Sequence, residues 1–186
     1  MKLHIKNMVS DRCKSLVKTE LEKLKLHYLQ VNLGEVEIKE TLTPEQLTQL
    51  NSELLKSGLS LINDHKSIIV EQIKNTVIEL IHHTEGQIKS NFSDYLSQKL
   101  NHDYTYLANL FSENQGMTIE HFLLSHRIEK VKELLGYNEM NITEIAFKLH
   151  FSSSAHLSNQ FKKMTGLTPS DYKHLKLQER TSLENI

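Results

Sequence analysis

Tryptophan is absent from this 186-residue chain, proline occurs twice and cysteine once. A single cysteine excludes an internal disulfide framework and makes a reducing cytoplasm the simplest compartment. No apolar run approaches the roughly 18–20 residues that a bilayer-spanning helix needs, so no membrane partner is expected. The opening MKLHIKNMV alternates apolar and polar residues and lacks the continuous apolar core of a secretory signal. Charge of one sign is also missing: 22 Lys and Arg stand against 23 Asp and Glu, a net of −1. Domains that grip nucleic acid often carry a basic surplus, so a case for DNA has to come from residue pattern. No nucleophile–base arrangement, phosphate loop or paired-carboxylate motif stands out, so neither enzymatic activity nor a cofactor is expected. The eleven histidines, among them His82 and His83, are scattered without zinc-ligand spacing.

What is present is a globular composition, 38% hydrophobic and 24% charged, carried on two different periodicities. In the first 63 residues Leu3 and Ile5, continuing to Asn7, alternate with Lys2, His4 and Lys6 as in a half-buried strand. Asp11 to Leu24 then places Leu16, Val17, Leu21 and Leu24 on one helical face. Two strands follow around Gly34, from Tyr28 to Leu33 and from Val36 to Ile38. Thr43, Pro44 and Gln46 form a capping-box helix start, for a helix that should bury Leu47, Leu50, Leu54 and Leu55 and end at Gly58. Leu59 and Leu61 begin a last short strand. The order is βαββαβ, a ferredoxin-like α+β arrangement.

From residue 64 onward no convincing strand is found, and about seven helices are expected. His65 to His83 is a long amphipathic helix with Ile69, Ile73, Val77, Leu80 and Ile81 on one side. Shorter helices follow, broken at Gly86, Asn101-His102, Gly116, Gly136-Tyr137, His150 and Gly166. The expected division is therefore 1–63, 64–178 and a tail of 179–186, with no Gly/Ser linker between the first two.

The most informative stretch runs from Asn141 to Lys173. Ile142, Ile145, Ala146 and Leu149 give the i, i+3, i+4, i+7 face of a short helix. His150-Phe151-Ser152 is a turn, and Ser152 or Ser153 can cap the next helix. There Leu157, Phe161 and Met164 share one side, whereas Ala155, Asn159 and Lys162 point the other way, flanked by His156 and Lys163. Small and amide side chains near the start of an exposed helix suit a major-groove reader. Asn can bond bidentately to adenine, Ala can contact a thymine methyl, and lysines suit phosphates. A solvated face in an ordinary bundle has the same periodicity. An upstream copy is visible: a helix to Leu100, a turn at Asn101-His102-Asp103, and a helix from Tyr104 to Asn114 burying Leu107, Leu110 and Phe111. Leu107/Phe111 and Gly116 repeat as Leu157/Phe161 and Gly166, 50 residues on.

These residues resemble a known family. EIAFKLHFSSSAHLSNQFKKMTGLTPSDYK is similar to the signature of the AraC/XylS family of transcription regulators, and YLANLFSENQGMTIEHFLLSHRIEKVKELL resembles its first half; the resemblance covers about residues 66–178. It implies a seven-helix bundle with two helix-turn-helix units, each inserting a helix into the major groove of double-stranded DNA. It implies base-facing positions at Thr105, Ala108 and Asn109, and at Ser154, Ala155, Ser158 and Asn159. Ser153, His156, Lys162 and Lys163 complete the DNA-binding set from the helical wheel. RNA polymerase and a second copy of the chain are the further partners to consider. Two departures stand out. His150 occupies a turn position that is usually Gly, where a left-handed backbone is strained for most residues. Asp103, Ser112 and Glu113 leave the first unit poor in positive charge, so it should bind DNA more weakly than the second.

The N-terminal order, with MVSDRC after the first strand, resembles a heavy-metal-associated domain, whose loop carries two cysteines in M-x-C-x-x-C. Here Ser10 replaces the first. A hydroxyl is a hard, poor ligand for a soft cation, so no metal site is assigned, and Cys13 is a weak candidate alone. Cys13 is open to three readings: a structural or vestigial residue, a weak or shared metal ligand, or a thiol made reactive by a helix start. The leading expectation is a sequence-specific DNA-binding transcription regulator reading two adjacent major-groove segments. The alternatives are a metal-sensing or metal-handling protein acting through the N-terminal domain, and a protein-interaction adaptor whose helical domain does not bind DNA.

Overall fold

A computed structural model describes residues 1–83 and 91–175 of the chain; the break expected at Gly86 and the tail 179–186 lie outside the described residues. The elements run β1 (Lys2–Lys6), α1 (Asp11–Lys23), β2 (Tyr28–Asn32), β3 (Glu35–Ile38), α2 (Pro44–Leu55), β4 (Ser60–Ile62) and α3 (His65–His83). There follow α4 (Phe92–Leu100), α5 (Tyr104–Gln115), α6 (Ile119–Tyr137), α7 (Ile142–Lys148) and α8 (Ser154–Thr165), and a helical stretch over 169–175 that we call α9. They fall into two compact units. One holds Met1–Ile78 with Leu96–Gly116, and the other the described residues of Glu79–Tyr95 and Met117–Ile186.

In the first unit the four strands form one sheet in the order β2-β3-β1-β4, every neighbouring pair antiparallel. Alternation puts Leu3 and Ile5 of β1, and Val36 and Ile38 of β3, on the covered face. Val17 and Leu21 of α1 and Leu50 and Leu54 of α2 pack with them, all fully buried. Each such side chain stabilises the unit by about 1.5–3 kcal/mol. Thr43 and Gln46 close the expected capping box. Met8 is fully buried in the same core.

Several boundaries and burials differ from expectation. Leu55 is 57% exposed and Leu47 only partly buried. On α2, Leu47, Leu50 and Leu54 lie within one arc, and Leu55, a further 100° round, turns out to solvent. Asn7 does not continue the alternation of β1. It adopts a left-handed backbone, φ 69°, which ends the strand. Leu24 caps α1 rather than extending it, β2 ends at Asn32, β3 starts at Glu35, and β4 begins at Ser60 with buried Leu59 beside it.

The α3 helix departs most from a simple amphipathic pattern. Besides Ile69, Ile73, Val77 and Leu80, its Val70, Glu71, Asn75, Thr76 and Ile78 are buried, so more than one side is covered. Glu71 accepts the Asn7 backbone N–H at 2.6 Å and pairs with Lys74 Nζ at 2.9 Å. Asn7 Nδ2 in turn donates to the Gly58 carbonyl at 3.1 Å. The strained turn after β1 is thus tied both to the end of α2 and to α3. Gly34, at φ +78°, lies directly under Asn75: a Cβ there would meet Asn75 Nδ2 at 2.1 Å.

In the second unit Ile128, Val131, Leu134 and Leu135 of α6 form a core with Ile145, Ala146, Leu149, Phe151, Leu157 and Phe161. The α7–α8 connection is built by the local chain. Asn141 and Glu144 start α7 with a reciprocal capping box. At its other end Phe151 N–H bonds to the Ala146 carbonyl (2.9 Å) and His150 N–H to that of Phe147 (3.2 Å), the Schellman pattern that satisfies the last helical carbonyls. His150 occupies the left-handed position of this turn, φ 58°, so the turn keeps its standard form although the residue is not glycine. Burial first, and then the Arg127 charge, hold the His150 pKa below its usual 6.5. Its Nε2 is buried with no hydrogen-bond partner among the described residues.

Two measurements check these local arguments. Gly34→Ala adds left-handed strain and a collision with Asn75, and should lower unfolding free energy by about 3 kcal/mol in chemical denaturation. His150→Gly removes the strain and the orphaned nitrogen, and should raise stability at pH 7 by about 1 kcal/mol. Because folding depresses the His150 pKa, the unfolded chain binds its proton first. Its contribution is present above pH 6.5 and is lost as pH falls from there toward the folded pKa. Stability should therefore fall less steeply below pH 6.5 in the glycine variant than in the wild type.

Candidate nucleic-acid interface

The α8 helix divides cleanly by exposure. Leu157 and Phe161 are fully buried and Met164 is partly buried against the same core. On the opposite side Ser153, Ala155, His156, Asn159, Lys162 and Lys163 are exposed, and Ser154 and Ser158 are half-buried at the margin. Every second-unit residue expected to face DNA thus lies on or beside one accessible stripe of a single helix. Among the described residues no carboxylate forms an ion pair with Lys162 or Lys163, whereas Lys130 and Lys132 of α6 pair with Glu133 and Glu129. Ser153 caps α8, its hydroxyl accepting the His156 N–H at 3.0 Å. Gly166 ends the helix at φ 81°.

Sequence reasoning left the cap open between two serines, and the second has another partner. Ser152 Oγ lies 2.9 Å from Nδ1 of His156. The same imidazole stands edge-on to the Phe151 ring, centroids 5.7 Å apart at 78°. Phe151 itself is buried and also lies 5.7 Å from the Arg127 guanidinium, near enough for a cation–π attraction. The residues are four apart, but Ser152 precedes the helix, so helical spacing did not reveal the pair.

The α4–α5 unit is built the same way with different residues. Asn101 takes the left-handed turn position, φ 55°, and the His102 N–H bonds to the Ser97 carbonyl at 3.2 Å. Leu107 and Phe111 are fully buried and Leu110 nearly so, while Thr105 and Asn109 are exposed and Ala108 is half-buried. Asp103 has a structural role: it is the N-cap, accepting N–H groups from Thr105 (2.8 Å) and Tyr106 (3.4 Å). Its charge faces the positive helix end, which partly offsets it. The helix YTYLANLFSENQ contains no Lys or Arg, in contrast to the paired lysines of α8.

In the N-terminal loop Ser10 Oγ is 3.5 Å from Cys13 Sγ. Burial pushes the thiol pKa up, but the Ser10 hydroxyl and the amides of Val9, Ser10 and Cys13 together hold it below its usual value. The serine therefore acts on the thiol as a hydrogen-bond partner. No group of three or more His, Cys, Asp and Glu side chains able to hold a metal ion occurs among the described residues, and no described helix is long and apolar enough to cross a membrane.

Comparison with known proteins bears on the helical part. Residues 96–174 match the sequence model of a family described as a helix-turn-helix domain. An HTH-type transcriptional regulator of Staphylococcus aureus is 36% identical over 117 residues, 63% of this chain and 14% of the relative. YtdP, an HTH-type transcriptional regulator of Bacillus subtilis, is 27% identical over 128 residues, 68% of this chain and 16% of the relative. The chain thus spans about a sixth of the length of the curated relatives it matches. The C-terminal domain of AraT, a response regulator from Geobacillus stearothermophilus, superposes with a TM-score of 0.51 at 26% identity, over 60% of this chain and 88% of that one. The DNA-binding domain of AdpA, a global transcriptional factor solved with a target DNA, shares the fold: TM-score 0.50 at 17% identity, over 64% and 98% of the two chains. Residues 96–174, with their two turn-linked helix pairs, thus match a helix-turn-helix domain in sequence and share the fold of these regulator domains.

Proposed function

We propose that the protein is a sequence-specific transcription regulator that reads two adjacent major-groove segments of double-stranded DNA, with α8 as the stronger reading helix and α5 as the weaker. The observation that carries this is the accessible stripe of α8. Ala155, His156 and Asn159 offer base contacts, Ser153, Ser154 and Ser158 offer hydroxyls, and Lys162 and Lys163 offer charge for phosphates. Thr105, Ala108 and Asn109 are the corresponding set on α5, without cations.

The division we propose is a small α+β domain over 1–63, the DNA-binding domain over 64–178, and a tail. The βαββαβ element order and the strand order β2-β3-β1-β4 support a ferredoxin-like reading of the first. The loop position of Cys13 supports kinship with heavy-metal-associated domains, while one thiolate and a serine make a poor soft-ion chelate. Such a regulator would act through RNA polymerase, alone or as a homodimer, in the cytoplasm.

Selection of bound fragments from a genomic pool, followed by titration at two salt concentrations, tests the reading. Affinity for the recovered motif should fall steeply with salt. Lys162→Ala should reduce the salt slope by about one and weaken all sequences alike, whereas Asn159→Ala should lose about 1–3 kcal/mol of discrimination at one base pair. Asn109→Ala should cost less. Binding that neither responds to salt nor enriches any motif would overturn the proposal.

A further inference from the structure

We propose that Ser152 is a specificity-determining positioning residue. By holding His156 as the neutral Nε2–H tautomer, it makes α8 present one fixed hydrogen-bond donor to a base edge. The inference rests on the DNA-binding reading above and deepens it. Ser153 already caps α8, so the Ser152 hydroxyl is not needed to start the helix, and its 2.9 Å contact is with His156 Nδ1. The imidazole is held at two points, Nδ1 by Ser152 and the ring edge-on against Phe151, while Ser153 fixes the backbone of the same residue. Nε2 is the nitrogen left for a ligand.

A neutral imidazole carries one N–H and one lone pair, and the bond made by one nitrogen decides the state of the other. A serine hydroxyl can rotate to donate. His156 lies in the first turn of α8, where the positive helix end favours the tautomer whose Nδ1 is an acceptor. Donation from Ser152 into Nδ1 therefore leaves the proton on Nε2. In the major groove a single donor is accepted by purine N7, guanine O6 or thymine O4, and is opposed by the N4 amino group of cytosine. His156 should thus disfavour cytosine at one position of the site. A side chain already ordered in the free protein also gives up less freedom on binding.

The test compares the full chain with Ser152→Ala, Ser152→Thr and His156→Ala in the same fragment selection, and records nitrogen chemical shifts of the His156 ring in the free wild type and Ser152→Ala. The wild type should show a protonated Nε2 and an accepting Nδ1, and its motif should contain one position depleted in cytosine. His156→Ala should lose that depletion. Ser152→Ala should relax it roughly tenfold, leaving the salt slope unchanged, and should show tautomer averaging in the ring. Ser152→Thr, which keeps the hydroxyl, should restore both readouts. If Ser152→Ala selects the same motif as the wild type, or if Nδ1 carries the proton, the inference falls while the DNA-binding reading stands. If the wild type enriches no motif, the DNA-binding reading falls and takes the inference with it.

Discussion

The orientation of the candidate DNA-facing helix depends on how one ring is buried. Phe151 follows the left-handed residue of the α7 C-terminal turn, and its backbone N–H closes that helix on Ala146. Its side chain packs with Leu157 and Phe161, lies near the Arg127 guanidinium, and forms a wall for His156. Backbone closure, core packing and the orientation of an exposed base-facing candidate therefore share one residue. Hydrophobic burial alone does not set the rotation of a short helix about its own axis. Here the helix is fixed at both ends of its buried face, by Phe151 beneath its start and by Phe161 two turns on. Its polar stripe can then face only solvent, or what replaces solvent.

The same logic explains why His150 is tolerated where glycine would be easier. The turn is over-determined by two backbone hydrogen bonds, a buried ring after it and a buried leucine before it. A local cost of about 1–2 kcal/mol is small against the several apolar side chains that the turn brings into the core. In the α4–α5 unit asparagine takes the equivalent position, a residue for which the left-handed conformation is comparatively easy. The two units thus reach one geometry through different residues, so the repeat is more evident in the backbone than in the letters.

Most of the helical domain was legible from sequence because its signals are local. The cap of α8, narrowed to Ser152 or Ser153, and the glycines at 116 and 166 each follow from a few consecutive residues, and the Leu–Phe pair shows itself again 50 residues on. The face of α8 followed from 100° periodicity alone, since Leu157 and Phe161 are buried on one side and the other carries polar residues and one alanine. Three features could not be read in that way. Leu55 looked apolar enough for the core but falls outside the arc that α2 buries. The polar residues Glu71 and Asn75 interrupt the apolar pattern of α3; the turn at Asn7 meets the first and the bare backbone at Gly34 the second, both from elsewhere in the chain. The pairing of Ser152 with His156 crosses a helix boundary, where periodicity has no meaning.

Electrostatics gives the two candidate reading helices unequal roles. A helix N-terminus already favours an anion, so both α5 and α8 start with that advantage, and what distinguishes them is what the side chains add. Asp103 satisfies two backbone N–H groups of α5 that a phosphate could otherwise have used, whereas neutral Ser153 closes α8 while leaving its positive end uncompensated. Lys162 and Lys163 then extend the favourable field along α8, and nothing on α5 does. A chain of nearly neutral net charge gains little non-specific affinity from its surface as a whole. On the proposed reading, α8 is the helix that offers both an uncompensated N-terminal end and, in its last turn, two cations.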